Sequence, residues 1–425
     1  MRGSFARLGK TLAYWRNDLP IFRISVMLIV AVGGTVLARL LSTLTQILLA
    51  RRLSPEDFGL YIALFALLSP VIIAASLGLD MWLLRQSSDT RGLHKSIGRV
   101  FSLRLLVGSG LMLGAIPFVV SRNPRFSFLI VLAAAVGLLW DLLLTTIDSA
   151  LRAQMRSIAA TLLQFAVAAG LLGLIWFGWS DTAPFFAAVG YRLLATGVGL
   201  LAGWWLLRKS LRLIWQPRQW LKTVQQARVF FASEILANIT LKADVTLIAL
   251  IIGSAATGLY SPVLTLVNTT FLVPNITAQI ILPIIIRQPI GSRSYRLTVR
   301  LAIVGSLAYG LFWFGLFIWG SRWVIQLLYG SQYVVAAPLL QIMCLIPLMK
   351  SFNFCSTTLM IAHNHQLLRT KLQTWGALIN LAGNLIALPL IGLVGAAWIN
   401  ALTEFVLLVA YGYGAYTTSI QEETV

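Results

Sequence analysis

The sequence predicts an all-α integral membrane protein of 12 transmembrane helices in two six-helix lobes, and three observations carry that prediction. Hydrophobic residues make up 58% of the chain and charged residues 11%, with a mean hydropathy of +0.85, whereas soluble domains carry about 25% charged residues. Apolar stretches long enough to cross a bilayer recur at short intervals; each span takes about 20 residues because backbone N–H and C=O groups in lipid must bond within their own helix. The tripeptide Gly59-Leu60-Tyr61, which restarts an apolar run after the first span, returns as Gly258-Leu259-Tyr260 after the seventh, the mark of an internal repeat.

The spans follow in order. The first covers 24–50 after a basic tail with Arg2, Arg7, Lys10, Arg16 and Arg23; it is too long for a signal-peptide core and lacks a small-residue cleavage site, so it is expected to be retained. It stops at Arg51 and Arg52, turns through Ser54, Pro55, Glu56 and Asp57, and the second span runs over 59–84. The first lobe continues with 100–120, 127–150, 158–178 and 184–207. A connection over 208–228 holds Arg208, Lys209, Arg212, Arg218, Lys222 and Arg228 with Trp215 and Trp220 among them, a composition suited to lying along a membrane surface. The second lobe has spans at 229–253, 260–286, 298–320, 335–361, 369–391 and 394–416. The chain thus divides into 1–207, a linker 208–228, and 229–425. A weaker echo pairs Thr145, Thr146, Ala150 and Gln154 with Thr357, Thr358, Ala362 and Gln366. Repeated halves of this kind suit a transporter that rocks about a central site.

Several elements are expected to be ordinary. Cys344 and Cys355 lie on one span about 16 Å apart, too far for a disulfide. His363 and His365 read as a solvated loop, and no metal cluster or cofactor motif stands out. Prolines at 262, 274 and 283 on the eighth span make it the candidate for a bending gate.

The formal net charge of +20 does not point to nucleic acid once its placement is seen. Of 33 Lys and Arg, 23 fall in the tail, in connections after even-numbered spans or, for Arg300, Arg369 and Lys371, in the first turn of the span that follows one; 5 fall after odd-numbered spans and 5 deeper inside spans. By the positive-inside rule both termini are cytoplasmic, and the basic loops meet anionic lipid of the inner leaflet.

Polar residues spaced three, four and seven apart mark one face of a helix. The first span carries Thr35, Arg39, Ser42, Thr43 and Gln46, and the seventh carries Glu234, Asn238 and Lys242. The fourth has Asp141, Thr145, Asp148 and Arg152; the eighth Thr265, Asn268, Asn275 and Gln279; the tenth Lys350, Asn353 and Thr357. The last two add Gln373, Asn380, Asn384, Asn400 and Glu404. So many stripes imply a wet cavity between helices. Arg39, Arg104, Arg192, Lys242 and Lys350 lie at membrane depth, where one such charge costs about 2.5 to 3.5 kcal/mol. Each either faces that cavity or is neutralised by Asp80, Asp141, Glu234, Asp244 or Glu404. Asp148 and Arg152, four residues apart, read as a local pair, whereas Arg39 and Lys242 stand among neutral polar groups and are assigned to the cavity. Basic walls suit an anionic ligand.

The strings ARRLSPEDFGLY at 50–61, ASLGLD at 75–80, LLYGSQYVVAAPLLQIMC at 327–344 and INLAGNLIALPLIGLVGAAW at 379–398 resemble the polysaccharide-biosynthesis flippases of O-antigen and exopolysaccharide pathways. Those belong, with the MATE multidrug extruders, to the multidrug/oligosaccharidyl-lipid/polysaccharide exporter superfamily. The resemblance implies a MATE-like fold whose six-helix bundles flank a V-shaped cavity. It also implies a location in the bacterial inner membrane. The implied activity is flipping of undecaprenyl-diphosphate-linked oligosaccharide repeat units, with polysaccharide polymerase machinery as a partner. On that reading Arg39, Arg104, Arg192, Lys242 and Lys350 hold the diphosphate, while Gln46, Asn238, Asn268, Asn275, Asn380 and Asn384 line the cavity for sugar. Glu234, Asp141 and Glu404 are candidates for binding a coupling H+ or Na+. A cation-coupled drug exporter is the alternative transporter, and cationic walls count against it. A membrane-embedded glycosyltransferase or polymerase is the alternative enzyme, with Glu56 and Asp57 as its acidic pair; no outer connection is long enough for the domain such enzymes carry, and the pair suits a turn with local salt bridges to Arg51 and Arg52.

Overall fold

The structure is a computed structural model and describes residues 33–423 apart from 86–89, 181, 209, 212 and 290. The basic tail, the first residues of span one, and Lys209 and Arg212 of the linker lie outside the described residues. Helices in chain order are α1 (Gly33–Arg52), α2 (Pro55–Ser76), α3 (Leu79–Arg85), α4 (Thr90–Val120), α5 (Phe128–Ala153), α6 (Ser157–Phe177), α7 (Pro184–Leu207), α8 (Pro217–Ile251), α9 (Ser254–Thr269), α10 (Leu272–Arg287), α11 (Arg293–Tyr329), α12 (Ala337–Ile342), α13 (Ile346–Ala362) and α14 (Gln366–Glu423). Among the described residues 10 segments are long and apolar enough to cross a membrane. Two further spans complete the set of twelve. The 58-residue α14 turns back at Gly392, whose φ is 61°. Asn380 Nδ2 donates to Asn400 Oδ1 at 3.0 Å, although 20 residues of straight helix would hold them about 30 Å apart. The other is α8, more polar than the rest because it carries Glu234, Lys242 and Asp244.

Local chemistry explains where these helices begin and break. Ser54 caps α2 by accepting from Asp57 N at 3.1 Å, Pro55 occupies the first turn, and Glu56 and Asp57 place negative charge at the positive end of the helix dipole. The acidic pair is thus a helix start, but its ionic partner is not local: Asp57 pairs with Arg125 at 3.2 Å. Span two is two helices, because Leu77 and Gly78 turn left-handed at φ 53° and 66°. A Cβ on Gly78 would overlap the Phe231 backbone of α8, so only glycine permits this crossing.

Proline breaks the ladder elsewhere, and hydroxyl groups repair it. Pro70 cannot donate to Ala66 O, which accepts instead from Ser69 Oγ at 3.1 Å and from Thr246 Oγ1 of α8 at 3.2 Å. Pro274 likewise frees Thr270 O, where α9 gives way to α10, and Tyr309 OH donates to it at 2.6 Å. Of the three prolines expected to bend span eight, the break therefore sits just before Pro274.

Helices α2 to α7 pack on one another, as do α10, α11, α13 and α14, while α2 crosses α8 and α9 between the groups. One apolar core cluster, including Leu49, Phe58, Leu64, Tyr260, Val263 and Tyr333, runs through both groups at the end where α1 meets α2. A second, at the linker end, joins Trp82, Ile97 and Ile147 to Trp220 and Ala227. The linker is accordingly docked and partly helical: Ile214 N donates to Ser102 Oγ at 3.1 Å, and α8 runs unbroken from Pro217 into its span. His363 is buried rather than solvated, with its Nε2 3.1 Å from Tyr295 OH.

Candidate functional site

A cavity of about 1080 Å³ lies between α1, α2, α5, α6, α7, α8 and α9. Its wall is mostly apolar methylenes and neutral polar groups, among them Ser42, Gln46, Thr196, Thr265 and Asn268. Thr265 Oγ1 donates to Gln46 Oε1 at 2.8 Å and so joins α9 to α1 across it.

The end beside Arg51 is sealed. Gly59 and Gly258, the repeated glycines, face one another: a Cβ on Gly59 would overlap the Ser254 carbonyl, and one on Gly258 the Pro55 carbonyl. Arg51 Nε donates to Leu328 O at 2.7 Å and its Nη2 to Leu327 O, occupying carbonyls in the last turn of α11 where cations are favoured. In return Gln332 Nε2 donates to Ala50 O at 3.3 Å. Phe58 and Tyr333 meet edge to face with centroids 6.1 Å apart. The strings ARRLSPEDFGLY and LLYGSQY are thus mates across the closed end. The local salt bridge expected of Arg51 gives way to this contact because the α11 carbonyls lie within its reach.

Of the five intramembrane cations, three are neutralised. Arg104, 0% exposed, donates through Nη1 to Asp80 Oδ1 at 2.6 Å and through Nε and Nη2 to Ser76 O at 3.1 and 2.7 Å. Its task is structural: Ser76 O is left free by the Leu77–Gly78 turn, and a guanidinium satisfies it while pairing with Asp80. The ASLGLD string is this turn. Lys350 pairs with Glu404 at 2.5 Å, and Asn353 Nδ2 donates to Glu404 Oε2 at 2.8 Å, inside the second helix group and away from the cavity wall. Arg192 does reach the wall, but bound to Asp141 at 2.8 Å and lying over the Phe65 ring at 4.3 Å, with Tyr61 beside it.

Arg39 and Lys242 differ. Both are exposed and line the cavity, one on α1 and one on α8. Among the described residues neither has an ion pair or a side-chain hydrogen bond. The predicted Asp148–Arg152 pair is present at 2.8 Å, and Gln164 Nε2 also donates to Asp148, at 3.0 Å.

The amides divide in the same way. Gln46 and Asn268 line the cavity. Asn238 instead donates to Glu234 O at 3.0 Å and Asn275 accepts from Gln279 at 2.8 Å, both off the wall. Asn380 and Asn384 belong to a separate buried string: Asn384 Nδ2 donates to Asn380 O at 2.9 Å, Asn380 to Asn400, and Asn400 Nδ2 to Asp244 Oδ2 at 2.9 Å. Tyr260 OH, from the second Gly-Leu-Tyr, also donates to Asp244, at 3.1 Å. Among the described residues Asp244 has no cationic partner. From the sequence Asp244 reads only as a counter-ion for a nearby cation, yet its place two residues after Lys242 turns it on a helix to the opposite side. The carboxylates named for coupling also part company. Asp141 and Glu404 are held by Arg192 and Lys350, whereas Glu234 lies beside Ser76, Asp80 and Arg104, at the contact between α8 and the α2–α3 turn.

Comparison with known proteins follows from this geometry. Residues 27–288 match the sequence profile of a family described as polysaccharide biosynthesis protein. Among proteins of curated function none matches the sequence. The fold is similar to an inward-facing multidrug resistance MATE family transporter of the MOP superfamily, with a TM-score of 0.71 at 14% identity over 91% of this chain and 96% of that one. It is similar to the lipid II flippase MurJ in an inward closed conformation, with a TM-score of 0.70 at 11% identity over 92% and 90%. An outward-facing MATE family transporter matches with a TM-score of 0.60 at 14% identity over 93% and 96%.

Proposed function

The chain belongs to the family of polysaccharide biosynthesis proteins, and from that premise we propose that it flips undecaprenyl-diphosphate-linked oligosaccharide repeat units across the bacterial inner membrane. One observation carries the reading: among the described residues, Arg39 on α1 and Lys242 on α8 are the cavity-lining cations that form no ion pair. A diphosphate offers charge-assisted acceptors to both, and the hydroxyls and amides around them suit sugar. Between apolar helix walls such attraction is screened less than in bulk water.

Transport would proceed by alternating access, the lobes 1–207 and 229–425 rocking about their contact with residues 208–228 as tether. The sealed Arg51 end and the cavity behind it correspond to one of the two states. The prenyl tail remains in lipid while the charged head crosses inside. If return of the empty carrier is coupled to H+ or Na+, Glu234 and Asp244 are the carboxylates to carry it, because among the described residues neither forms an ion pair. Export for O-antigen or exopolysaccharide would hand the repeat unit to a polymerase.

The test uses purified protein in proteoliposomes with a fluorescent prenyl-diphosphate oligosaccharide. The lipid should exchange leaflets, and Arg39→Gln or Lys242→Gln should slow it by at least about tenfold, the loss of one charge-assisted contact. Vesicles that pump organic cations and leave the lipid in place would replace this reading with the drug-exporter one.

A further inference from the structure

We infer that the glycan carried through this cavity is uncharged, so that the substrate class is a prenyl diphosphate bearing neutral sugars; the inference rests on the diphosphate-lipid reading above. Among the described residues six charged side chains border the cavity: Arg39, Arg192, Lys242, Asp80, Asp141 and Asp148. All three carboxylates are already engaged, Asp80 with Arg104 at 2.6 Å, Asp141 with Arg192 at 2.8 Å and Asp148 with Arg152 at 2.8 Å. Arg39 and Lys242 are what remain. Glu234, on the same helix as Lys242, lies beside Asp80 and Arg104 behind the wall and near enough to Lys242 to act on its charge, so it lowers the positive charge to spare and adds none.

A diphosphate diester carries one negative charge on each phosphoryl group, so it matches the two remaining cations and leaves none over. The rest of the polar wall, with Ser42, Gln46, Gln164, Thr265 and Asn268, offers neutral donors and acceptors of the kind sugar hydroxyls use. At about 1080 Å³ the space exceeds the usual range of about 300 to 1,000 Å³ for small-molecule sites and has room for several rings. A sugar acid would bring a further negative charge between these largely apolar walls. The arginines it could meet are committed to Asp80, Asp141 and Asp148, so it would either stand unpaired or displace a carboxylate and leave that one unpaired, and both are unfavourable away from water.

The experiment compares two probes in vesicles of one composition with the full chain. One is a prenyl diphosphate trisaccharide of neutral hexoses; the other is the same lipid with its terminal hexose oxidised to the hexuronate. The neutral lipid should cross at least about tenfold faster. Asn268→Lys, which adds one cation to the wall, should narrow that ratio by raising the rate of the acidic lipid, and Gln46→Lys should do so from another point on the wall. Equal rates, or a faster acidic lipid, overturn the inference and leave the diphosphate-lipid reading standing. A ratio unchanged in both folded lysine variants also overturns it, because charge matching would not then be the cause. Movement of neither lipid overturns the reading and the inference together.

Discussion

Intramembrane cations do two unlike jobs in this protein, one as a buried structural partner and one on the cavity wall. Arg104 is wholly buried and fully engaged, so truncating it strands both Asp80 and the Ser76 carbonyl. Removing one partner of a buried pair costs about 3–5 kcal/mol, and Arg104→Ala should lower the thermal unfolding midpoint sharply in detergent. Lys242 is exposed in the cavity and, among the described residues, forms no ion pair, so Lys242→Ala should change stability by no more than about 0.5 kcal/mol while lipid exchange falls. Equal destabilisation by the two variants would remove the distinction. The Asp244 network allows a third comparison. Asn400→Leu deletes a donor to a buried carboxylate and to Tyr260, a loss of about 1–3 kcal/mol that the same unfolding assay reads.

Helices in this protein break where their freed carbonyls have somewhere to go. The Leu77–Gly78 turn is supported by Arg104, the Pro70 gap by Thr246 and the Pro274 gap by Tyr309. Closing of the Arg51 end depends instead on two residues with no side chain. Because a Cβ on Gly258 would meet backbone rather than a movable side chain, Gly258→Val should push α9 off α2. In a background lacking Cys344 and Cys355, Ser42→Cys in the cavity should then react with an impermeant thiol reagent applied from the Arg51 side, and Arg51→Ala should act in the same direction by freeing the α11 terminus. Protection unchanged in both variants would show that the seal lies elsewhere.

At the scale of the molecule, Arg51 and the linker occupy opposite ends of the bundle, since five spans, an odd number, separate them. Exposed Glu56 and Gln219, replaced singly by Cys, should therefore be labelled from opposite faces of the membrane. The excess of basic residues at the linker end predicts that Gln219 is the cytoplasmic one. Labelling of both from one face would overturn the topology.

The sequence by itself determined the membrane class, the number of spans, the repeat and the family, because each of these rests on local composition or on residues read in order. It also singled out Arg39 and Lys242, since neither has an acidic residue three or four positions away on its own helix. What it could not supply were pairings across helices. Arg104 meets Asp80 from 24 residues away, Arg192 meets Asp141 from 51, and Arg51 reaches carbonyls 276 and 277 residues on. Periodicity reports which face of a helix is polar, but not whether that face meets a cavity, as at Gln46, or another helix, as at Asn380 and Lys350. Only the packed bundle decides that, because burial of a polar group is settled by which neighbour arrives to satisfy it.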